Sequence, residues 1–392
     1  MLGTFLVDNV SPSVRVSLTV MRALGIWPPV LEGSKRILYY LYGFSCYMFI
    51  MGSFLIIQTV ELCIIWGDLP LMTSVAYLLF TNLAHFTKIF YTLQRKDLIA
   101  RIINEADEVL RSVDSCEAKA IVKSCKQESK NQQLFFFILS YITALGWISS
   151  TEKNMLPIRA WYPYDTSKSP AYELTYAQQV MGVTIGALLN VSQDTLVTSL
   201  IAQCCCRLRL LGLSLKTLCQ DMTIIGTHLT IDQEKVVKIR LTRCVMEHQL
   251  ALDAANQIQF CFSEQIFAQF NISLIIICVT AFQLVSQTGN LVRFLSMGTY
   301  MLNMMFQVFI YCYHGNELSE VSSEIAGAAY EAPWYMMSIP LRRSLLIVMV
   351  RSRRIAKITA GSFTTLSLAS FMSIIKASYS LFTLLQQVED KK

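Results

Sequence analysis

The residues that commonly carry catalysis or metal binding are scattered along this chain. The histidines show no metal-ligand spacing, and the consecutive cysteines Cys204 to Cys206 lack the two-residue gap of a zinc-binding pair. The pattern contains no catalytic triad, no phosphate-binding glycine loop and no pair of catalytic carboxylates. The sequence therefore predicts no enzyme activity, no metal site and no cofactor. The histidines are His85, His228, His248 and His314.

Polar side chains inside apolar segments are more informative. Asn190, Gln193 and Asp194 interrupt one apolar stretch, and Lys376 lies inside another. Polar groups at membrane depth are stable on a face turned to protein or water, so we expect the first three to face other helices. Lys376 has two interpretations. It is either a charge with a structural role or a side chain that extends to the membrane interface.

The composition explains where these residues must lie. Of 392 residues, 54% are hydrophobic and 15% are charged, whereas a soluble protein has roughly a quarter of its residues charged. A larger core does not explain the difference, because the surface of a soluble protein must still be solvated. The net charge of +6 comes without a dense basic block, which argues against a nucleic-acid partner. The expected solvent is the lipid bilayer.

Seven apolar segments are long enough to cross a bilayer, which requires about 20 residues. They predict an all-α membrane protein with seven transmembrane helices in a single domain over residues 1–392. Residues 1–35 lack the features of a cleaved signal peptide, so we expect the first span to remain as an anchor. The predicted spans are about 37–65, 70–91, 133–151, 176–202, 264–285, 294–313 and 361–386.

Basic residues alternate between the two sides of these spans. Eight Lys and Arg lie between residues 95 and 130, and seven lie between 207 and 243. The connection between spans 1 and 2 has none, and Arg293 stands alone between spans 5 and 6. Because cytoplasmic loops are enriched in basic residues, the N-terminus is predicted to be cytoplasmic and the C-terminus extracellular.

This orientation separates two classes of seven-span receptor. A G-protein-coupled receptor has its N-terminus outside, and its last span usually contains an Asn-Pro-x-x-Tyr turn. No Asn-Pro dipeptide occurs here, and Glu152-Lys153 at the end of span 3 is not the acidic-Arg-aromatic triplet of that class. A membrane transporter is the other alternative that the apolar pattern leaves open.

Two segments are expected to be cytoplasmic and helical, at about 203–263 and 314–360. In the first, apolar residues such as Val236 and Ile239 recur at helical spacing among charged ones. Spans 4 and 5 are therefore predicted to continue as helices below the membrane. The extension is either a solvated helical hairpin or an intracellular assembly region, and composition alone does not separate the two.

The last 80 or so residues contain an ordered series of short motifs. A Gly-Asn-Glu follows span 6 and leads to Ala-Ala-Tyr-Glu, Trp-Tyr, a basic helix, Ile-Thr-Ala-Gly and a serine-rich final span. This series resembles the C-terminal signature of insect odorant receptors. The order of so many elements makes the resemblance specific, whereas the first 240 residues match mainly in span number and orientation. The matching elements are Gly315–Glu317, Ala328–Glu331, Trp334–Tyr335, Arg351–Arg354, Ile358–Gly361, Ser367–Phe371 and Ser378–Ser380.

The resemblance implies a heterotetrameric, odour-gated, non-selective cation channel formed with a co-receptor subunit. It also implies a multi-pass protein of the cell membrane of sensory neuron dendrites. The co-receptor has a much longer connection between spans 4 and 5, so this chain resembles the odour-tuning subunit. In the family the seventh span is split into two half-helices. The short apolar run Leu345–Val350 and the break at Gly361 before the apolar helix 363–385 agree with that split.

The resemblance also suggests which residues form the sites. The pore constriction is expected at Leu384, with Gln387 and Val388 just beyond it, and ordinary packing is the alternative for all three. A mostly apolar cavity for a volatile organic odorant or pheromone is expected among spans 2, 3, 4 and 6, where core packing is again the alternative. The expected ligand-binding residues are Tyr77, Phe80, Tyr141, Leu145, Val183, Thr184, Ala187, Tyr300 and Met304.

Overall fold

The computed structural model describes residues 11–27, 33–149, 156–220, 222, 229–286 and 291–389. The end of predicted span 3 at residues 150 and 151, the pair Glu152-Lys153 and His228 lie outside the described residues. The regular elements of the described chain are eleven α-helices, a π-helical turn at Met48–Gly52, a 3-10 helix at Trp334–Met336 and one short hairpin. Their bounds are α1 Pro12–Ala23, α2 Ser34–Tyr47, α3 Ser53–Ile64, α4 Leu69–Gln94, α5 Lys96–Arg111, α6 Cys116–Ser149, α7 Ala171–Lys216, α8 Ile231–Ser286, α9 Leu291–Glu331, α10 Ile339–Ser352, β1 Thr359–Ala360, β2 Thr364–Thr365 and α11 Leu368–Glu389.

Five of the described helices are long and apolar enough to cross a membrane, namely α4, α6, α7, α8 and α11. The first predicted span is helical throughout but is divided, because a π-helical turn at Met48–Gly52 separates α2 from the shorter apolar helix α3. Such a turn inserts one extra residue into the helical repeat. The sixth predicted span lies within α9.

Three helices extend far beyond the bilayer thickness. The longest, α8, has 56 residues, which is roughly 80 Å at about 1.5 Å per residue, against a hydrocarbon core of about 30 Å. The other two, α7 and α9, have 46 and 41 residues. The prediction that spans 4 and 5 continue as helices is correct, because α7 extends to Lys216 and α8 begins at Ile231, well beyond the predicted spans. Their extensions pack together with α10 around a core that includes Leu208, Val321 and Leu345.

The centre of the bundle is α7, which packs against α1, α6, α8 and α9. Leu196, Leu200 and Leu208 on this helix are almost completely buried. The amphipathic helix α1 precedes the first span and lays Val14, Leu18 and Met21 into the same core, which the sequence analysis did not predict. Because α7 is buried on several of its faces, its polar side chains contact protein, and the fourth span therefore tolerates many of them.

The last span is split, as the resemblance implied. The first half, α10, has 14 residues, too few to span a bilayer. The predicted start of the last span at 361 is wrong, because Thr359 and Ala360 pair with Thr365 and Thr364 in a hairpin. The second half, α11, begins only at Leu368. The turn contains Gly361 at φ +56°, a left-handed conformation that favours glycine.

The hairpin is fixed to α8 by hydrogen bonds. The backbone N–H of Thr359 donates to Gln259 Oε1 at 2.6 Å, and the N–H of Gly361 donates to the carbonyl of Ser263 at 3.1 Å. A side chain at Gly361 would lie only 2.8 Å from Phe267 on α8. The two half-helices are therefore held at a defined point on α8.

Candidate functional site

A cavity of about 100 Å³ lies among α3, α4, α6, α7 and α9, together with the π-helical turn and the chain at Ile158. Its walls are mostly aromatic and aliphatic, the surface expected for a volatile organic ligand with few polar groups. Methionines among them adapt to differently shaped ligands. The apolar lining residues are Met51, Phe54, Leu78, Ala144, Trp147, Ile158, Val183, Ala187, Tyr300 and Met304.

The wall on the α7 side is created by small residues on one helical face. Gly182 and Gly186 leave the backbone uncovered, and Val183 and Ala187 follow at the same helical phase. The ring of Phe54 packs directly on Gly182, so a side chain there would overlap the ring. Close approach of α3 to α7 therefore depends on glycine at position 182.

An aromatic cluster forms the opposite wall. The rings of Trp147 and Tyr300 face the cavity, with centroids 6.5 Å apart at 83°. Tyr77 packs behind both, at 5.5 Å from Trp147 and 5.6 Å from Tyr300. The hydroxyl of Tyr300 is 2.5 Å from that of Thr81. Edge-on ring packing and this hydrogen bond fix the orientation of the wall.

Polar residues also line the cavity, in two groups. Asn82 Nδ2 donates to Gln58 Oε1 at 3.0 Å, between α4 and α3. The hydroxyl of Ser140 donates to Asn303 Oδ1 at 3.0 Å, between α6 and α9. His85 lies one helical turn from Asn82 and also lines the cavity. These residues add directional contacts to an otherwise apolar site.

Four of the nine residues expected to bind ligand line the cavity, namely Val183, Ala187, Tyr300 and Met304. Tyr77 and Phe80 pack in the aromatic and aliphatic cluster behind the wall. Thr184 is turned away from the cavity, and its hydroxyl donates to the carbonyl of Val180 at 2.8 Å. That any of these residues contacts an odorant stays a prediction.

Tyr141 and Leu145, which were expected to bind ligand, lie on the face of α6 that points away from the cavity. Their side chains are 63% and 46% exposed and point out of the bundle, whereas Ser140, Thr143, Ala144 and Trp147 line the cavity. Both faces of this stretch are apolar, so hydropathy did not distinguish the lipid side from the protein side. Tyr141 and Leu145 lie at the depth of the cavity in the bundle, but the helical phase of α6 turns both side chains away from it.

The sequence-based predictions did not include several polar residues that line the cavity, namely Gln58, Asn82, His85, Ser140 and Asn303. Most of them could have been identified from their position inside apolar spans. Amide and imidazole side chains inside apolar spans rarely face lipid, and the same rule was applied only to the fourth span. Asn82 and His85 are three residues apart, which places them on one face of a helix.

A buried ion pair lies beside the cavity. Lys88 Nζ on α4 is 2.6 Å from Asp194 Oδ1 on α7, and both side chains are almost completely buried. Lys88 also donates to Asn190 Oδ1 at 2.8 Å, and Asn190 lines the cavity. The expectation that Asn190, Gln193 and Asp194 face protein is correct for Gln193 and Asp194, which are buried, and Asn190 is partly buried.

Two side chains of α9 complete the coordination of Asp194. The hydroxyl of Tyr311 donates to Asp194 Oδ1 at 2.8 Å, and Gln307 Nε2 donates to Asp194 Oδ2. Gln269 Nε2 on α8 in turn donates to Gln307 Oε1 at 3.1 Å. We define Lys88, Asn190, Asp194, Gln307 and Tyr311 as the buried polar network. It connects the cavity to α7 and α9, and Gln269 extends the connection to α8.

The expected pore residues are on the exposed side of α11. Leu384 is 56% exposed and Val388 is 47% exposed, and Gln387 is exposed between them. The opposite side of the helix packs through Ser378, whose hydroxyl donates to the carbonyl of Leu274 on α8 at 3.1 Å. Lys376 is exposed as well. Residues 390–392 lie outside the described part of the chain.

Comparison with known proteins identifies the family. The family model described as 7tm Odorant receptor matches residues 68–379. Odorant receptor Or1 of Anopheles gambiae is 25% identical, covering 96% of this chain and 95% of the relative. Odorant receptor 94a of Drosophila melanogaster is also 25% identical, covering 96% and 98%.

Solved structures of an insect olfactory receptor have the same fold as this chain. The insect olfactory receptor OR5 from Machilis hrabei, in complex with eugenol, superposes with a TM-score of 0.81 at 18% identity, over 97% of this chain and 99% of that one. A second structure of OR5 from Machilis hrabei superposes with the same TM-score, over 95% of this chain and 97% of that one. These comparisons confirm the all-α seven-span fold and the resemblance in the C-terminal residues. This chain belongs to the insect odorant receptor family.

Proposed function

We propose that this chain is the odour-binding subunit of a ligand-gated cation channel, and that its cavity holds a volatile organic molecule. The observation that carries the proposal is a mostly apolar cavity inside the bundle of an odorant receptor fold. A receptor of the same fold has been solved with the small organic molecule eugenol. Val183, Ala187, Tyr300 and Met304 are the ligand-contacting residues that we retain from the sequence analysis.

The family match favours an odorant receptor over the G-protein-coupled receptor and the transporter that remained as alternatives. The same match places the chain outside families of enzymes, and we infer that it has no enzyme activity of its own.

We infer that α11 lines the pore with its exposed face. An apolar ring formed by one Leu384 from each subunit would close the pore by excluding water, and Gln387 would offer amide oxygens to a passing cation. The exposure of Leu384, Gln387 and Val388 on a single chain supports this role, because the side chains are free for neighbouring subunits or water. Packing against a neighbouring subunit without a pore role is the alternative.

The partner that we propose is a co-receptor subunit in a heterotetramer. The second half of the cytoplasmic helical assembly region, 314–360, contains α10, which is too short to span a bilayer. It nevertheless exposes Leu346, Ile347 and Val350, of which Ile347 is 67% exposed. An apolar face of this kind marks an interaction surface. A second subunit that covers this face would link the subunits below the membrane.

The orientation that we propose has the N-terminus in the cytoplasm and the C-terminus outside, in the cell membrane of sensory neuron dendrites. The alternation of Lys and Arg supports it. An epitope at the N-terminus of intact cells should be stained only after permeabilisation, and one at the C-terminus should be stained without it. The reverse pattern would exclude this orientation.

Recording from cells that express this chain together with the co-receptor tests the function. Odorant should evoke a cation current that survives blockade of G-protein signalling, and this chain alone should give little or none. Saturating uptake of a substrate without channel-like unitary currents would identify a transporter instead.

A further inference from the structure

The cavity wall carries two buried side-chain nitrogens without partners. Gln58 on α3 and His85 on α4 both line the cavity and are almost completely buried. In the described part of the chain, Gln58 Nε2 and His85 Nε2 have no hydrogen-bond partner. Buried polar nitrogens are nearly always paired with protein, ligand or ordered water. An unpaired donor at the wall of a ligand cavity therefore points to a group that the ligand supplies.

The donor at this wall does not depend on how the two amides are oriented. Gln58 Oε1 accepts from Asn82 Nδ2 at 3.0 Å, which leaves the Gln58 amide N–H₂ free. If both amides were rotated, Gln58 would donate to Asn82, and the N–H₂ group of Asn82 would be free instead. Since each amide has one acceptor and one donor group, a pair of this kind always retains a spare donor.

The lining excludes a charged ligand. Among the described residues that line the cavity, none is Asp, Glu, Lys or Arg. The nearest buried charges, Lys88 and Asp194, already form an ion pair with each other. A buried carboxylate or ammonium without a partner is strongly destabilised. Carboxylic acids and amines would enter this cavity without a counter-charge.

The unpartnered nitrogens, the absence of charged side chains among the described lining residues and the aromatic wall of Trp147 and Tyr300 point to one class of ligand. We propose that the cavity selects a neutral carbonyl compound, which is a ketone, aldehyde or ester. Its carbonyl oxygen accepts from the Gln58–Asn82 amide pair, and also from His85 Nε2 in the tautomer that carries the proton on that nitrogen. Its hydrocarbon part packs against the apolar wall. This inference rests on the proposed role of the cavity as the odour site.

The test uses the full chain expressed with the co-receptor and a panel of volatiles with matched carbon skeletons. Each skeleton is supplied as the hydrocarbon, the ketone, the carboxylic acid and the primary amine. The ketone should reach half-maximal current at a concentration about two- to tenfold below that of the hydrocarbon, which is the affinity that one buried hydrogen bond contributes. Acids and amines should be inactive or weakest.

Two variants assign the preference to the proposed donors. Gln58→Met and His85→Phe should each raise the half-maximal concentration for the ketone and leave that for the hydrocarbon within about twofold. Thr143→Val is the matched control, because Thr143 also lines the cavity but its hydroxyl already donates to the carbonyl of Leu139 at 2.8 Å. It should keep the preference for the ketone.

The wild-type panel decides the outcome even if a variant fails to reach the surface. Equal sensitivity to ketone and hydrocarbon, or a preference for acids or amines, would overturn the carbonyl proposal and leave the odour-receptor function intact. If no volatile of any class evokes current while the chain is at the surface with the co-receptor, the proposed function itself fails, and the carbonyl proposal fails with it.

Discussion

Lys88 of α4 and Asp194 of α7 form an ion pair in the centre of the bundle, with 2.6 Å between the ammonium and the carboxylate. Asn190, which lines the cavity, accepts a hydrogen bond from the same ammonium. Gln307 and Tyr311 of α9 donate to the same carboxylate. The buried polar network therefore joins the cavity to α9, on which the hairpin before α11 also packs through Leu366 against Gly315.

Removing one member of this ion pair should destabilise the bundle. Asp194→Leu leaves the Lys88 ammonium buried without a counter-charge, and breaking a buried pair costs about 3–5 kcal/mol. We expect a large loss of surface expression and a lower thermal melting temperature of the purified chain. Replacing both residues with apolar ones, Lys88→Met with Asp194→Leu, should recover part of the loss.

The control for this prediction is the exposed ion pair between Lys216 and Glu331. Lys216→Met should change stability by less than about 1 kcal/mol, because solvent screens exposed pairs. If Asp194→Leu behaved like Lys216→Met, the ion pair would have no structural importance.

Filling the cavity should reduce odour sensitivity. Ala187→Phe places a ring in the space that we assign to the odorant. Steric overlap costs roughly 1–3 kcal/mol, so the concentration for half-maximal current should rise about tenfold. Leu145→Phe on the outer face of α6 is the control and should leave sensitivity unchanged. Equal effects of the two substitutions would move the odour site elsewhere.

Cys125 should react with alkylating reagents near neutral pH. A hydrogen bond from Cys206, together with the guanidinium of Arg209, whose Nη1 is 3.7 Å from the sulfur, lowers the pKa of the Cys125 thiol to about 7 against the opposing effect of burial. The thiolate is the reactive form, so the alkylation rate should rise with pH and reach half of its maximum near pH 7.

This pH profile is measured on detergent-purified protein with mass-spectrometric readout of Cys125 alone. Cys206→Ala removes the largest cause and should shift the half-maximal point to higher pH. A profile of the wild-type chain that is still rising steeply above pH 9, the ordinary range for a thiol, would show that the Cys125 thiol is not perturbed.

The pore assignment is tested on α11. Leu384→Gln should hydrate the apolar constriction and raise the current in the absence of odorant, since the closed state depends on excluding water. Gln387→Arg should reduce cation flow without removing odour binding, because a fixed positive charge repels the ion. The co-receptor contributes its own lining, so partial effects are expected. Wild-type currents from both variants at normal surface expression would assign these residues to packing.

The elements that follow from local pattern were predicted, and those that depend on distant contacts were not. The apolar segments predicted the all-α seven-span fold, because a bilayer of fixed thickness requires long apolar helices. The hairpin at 359–365 was missed, since its two-residue strands are stabilised by Gln259 and Ser263 of α8, about 100 positions away in the chain. No local signal encodes such a contact.

The residues around the cavity also differ in whether local sequence pattern or distant contacts determine their position. Val183 and Ala187 were chosen by their depth in the bundle and do line the cavity. Tyr141 and Leu145 were chosen by the same criterion and do not, because α6 is apolar on its outer face as well. Phe135 and Ile138 are exposed in the same stretch, and Phe136 is completely buried. Only packing with α7 and α9 distinguishes them. The polar residues Gln58 and His85 could have been found from their rarity in apolar spans.

We infer that odorant bound in this cavity opens a cation pore shared with the co-receptor. Current recording from excised membrane patches that contain this chain and the co-receptor, with no nucleotide or G protein present, tests this gating. An agonist from the volatile panel should open unitary cation currents within the patch, and Ala187→Phe should require about tenfold more agonist for the same open probability. Loss of all odour-evoked openings after excision, with currents intact in whole cells, would show that odorant does not open the pore directly.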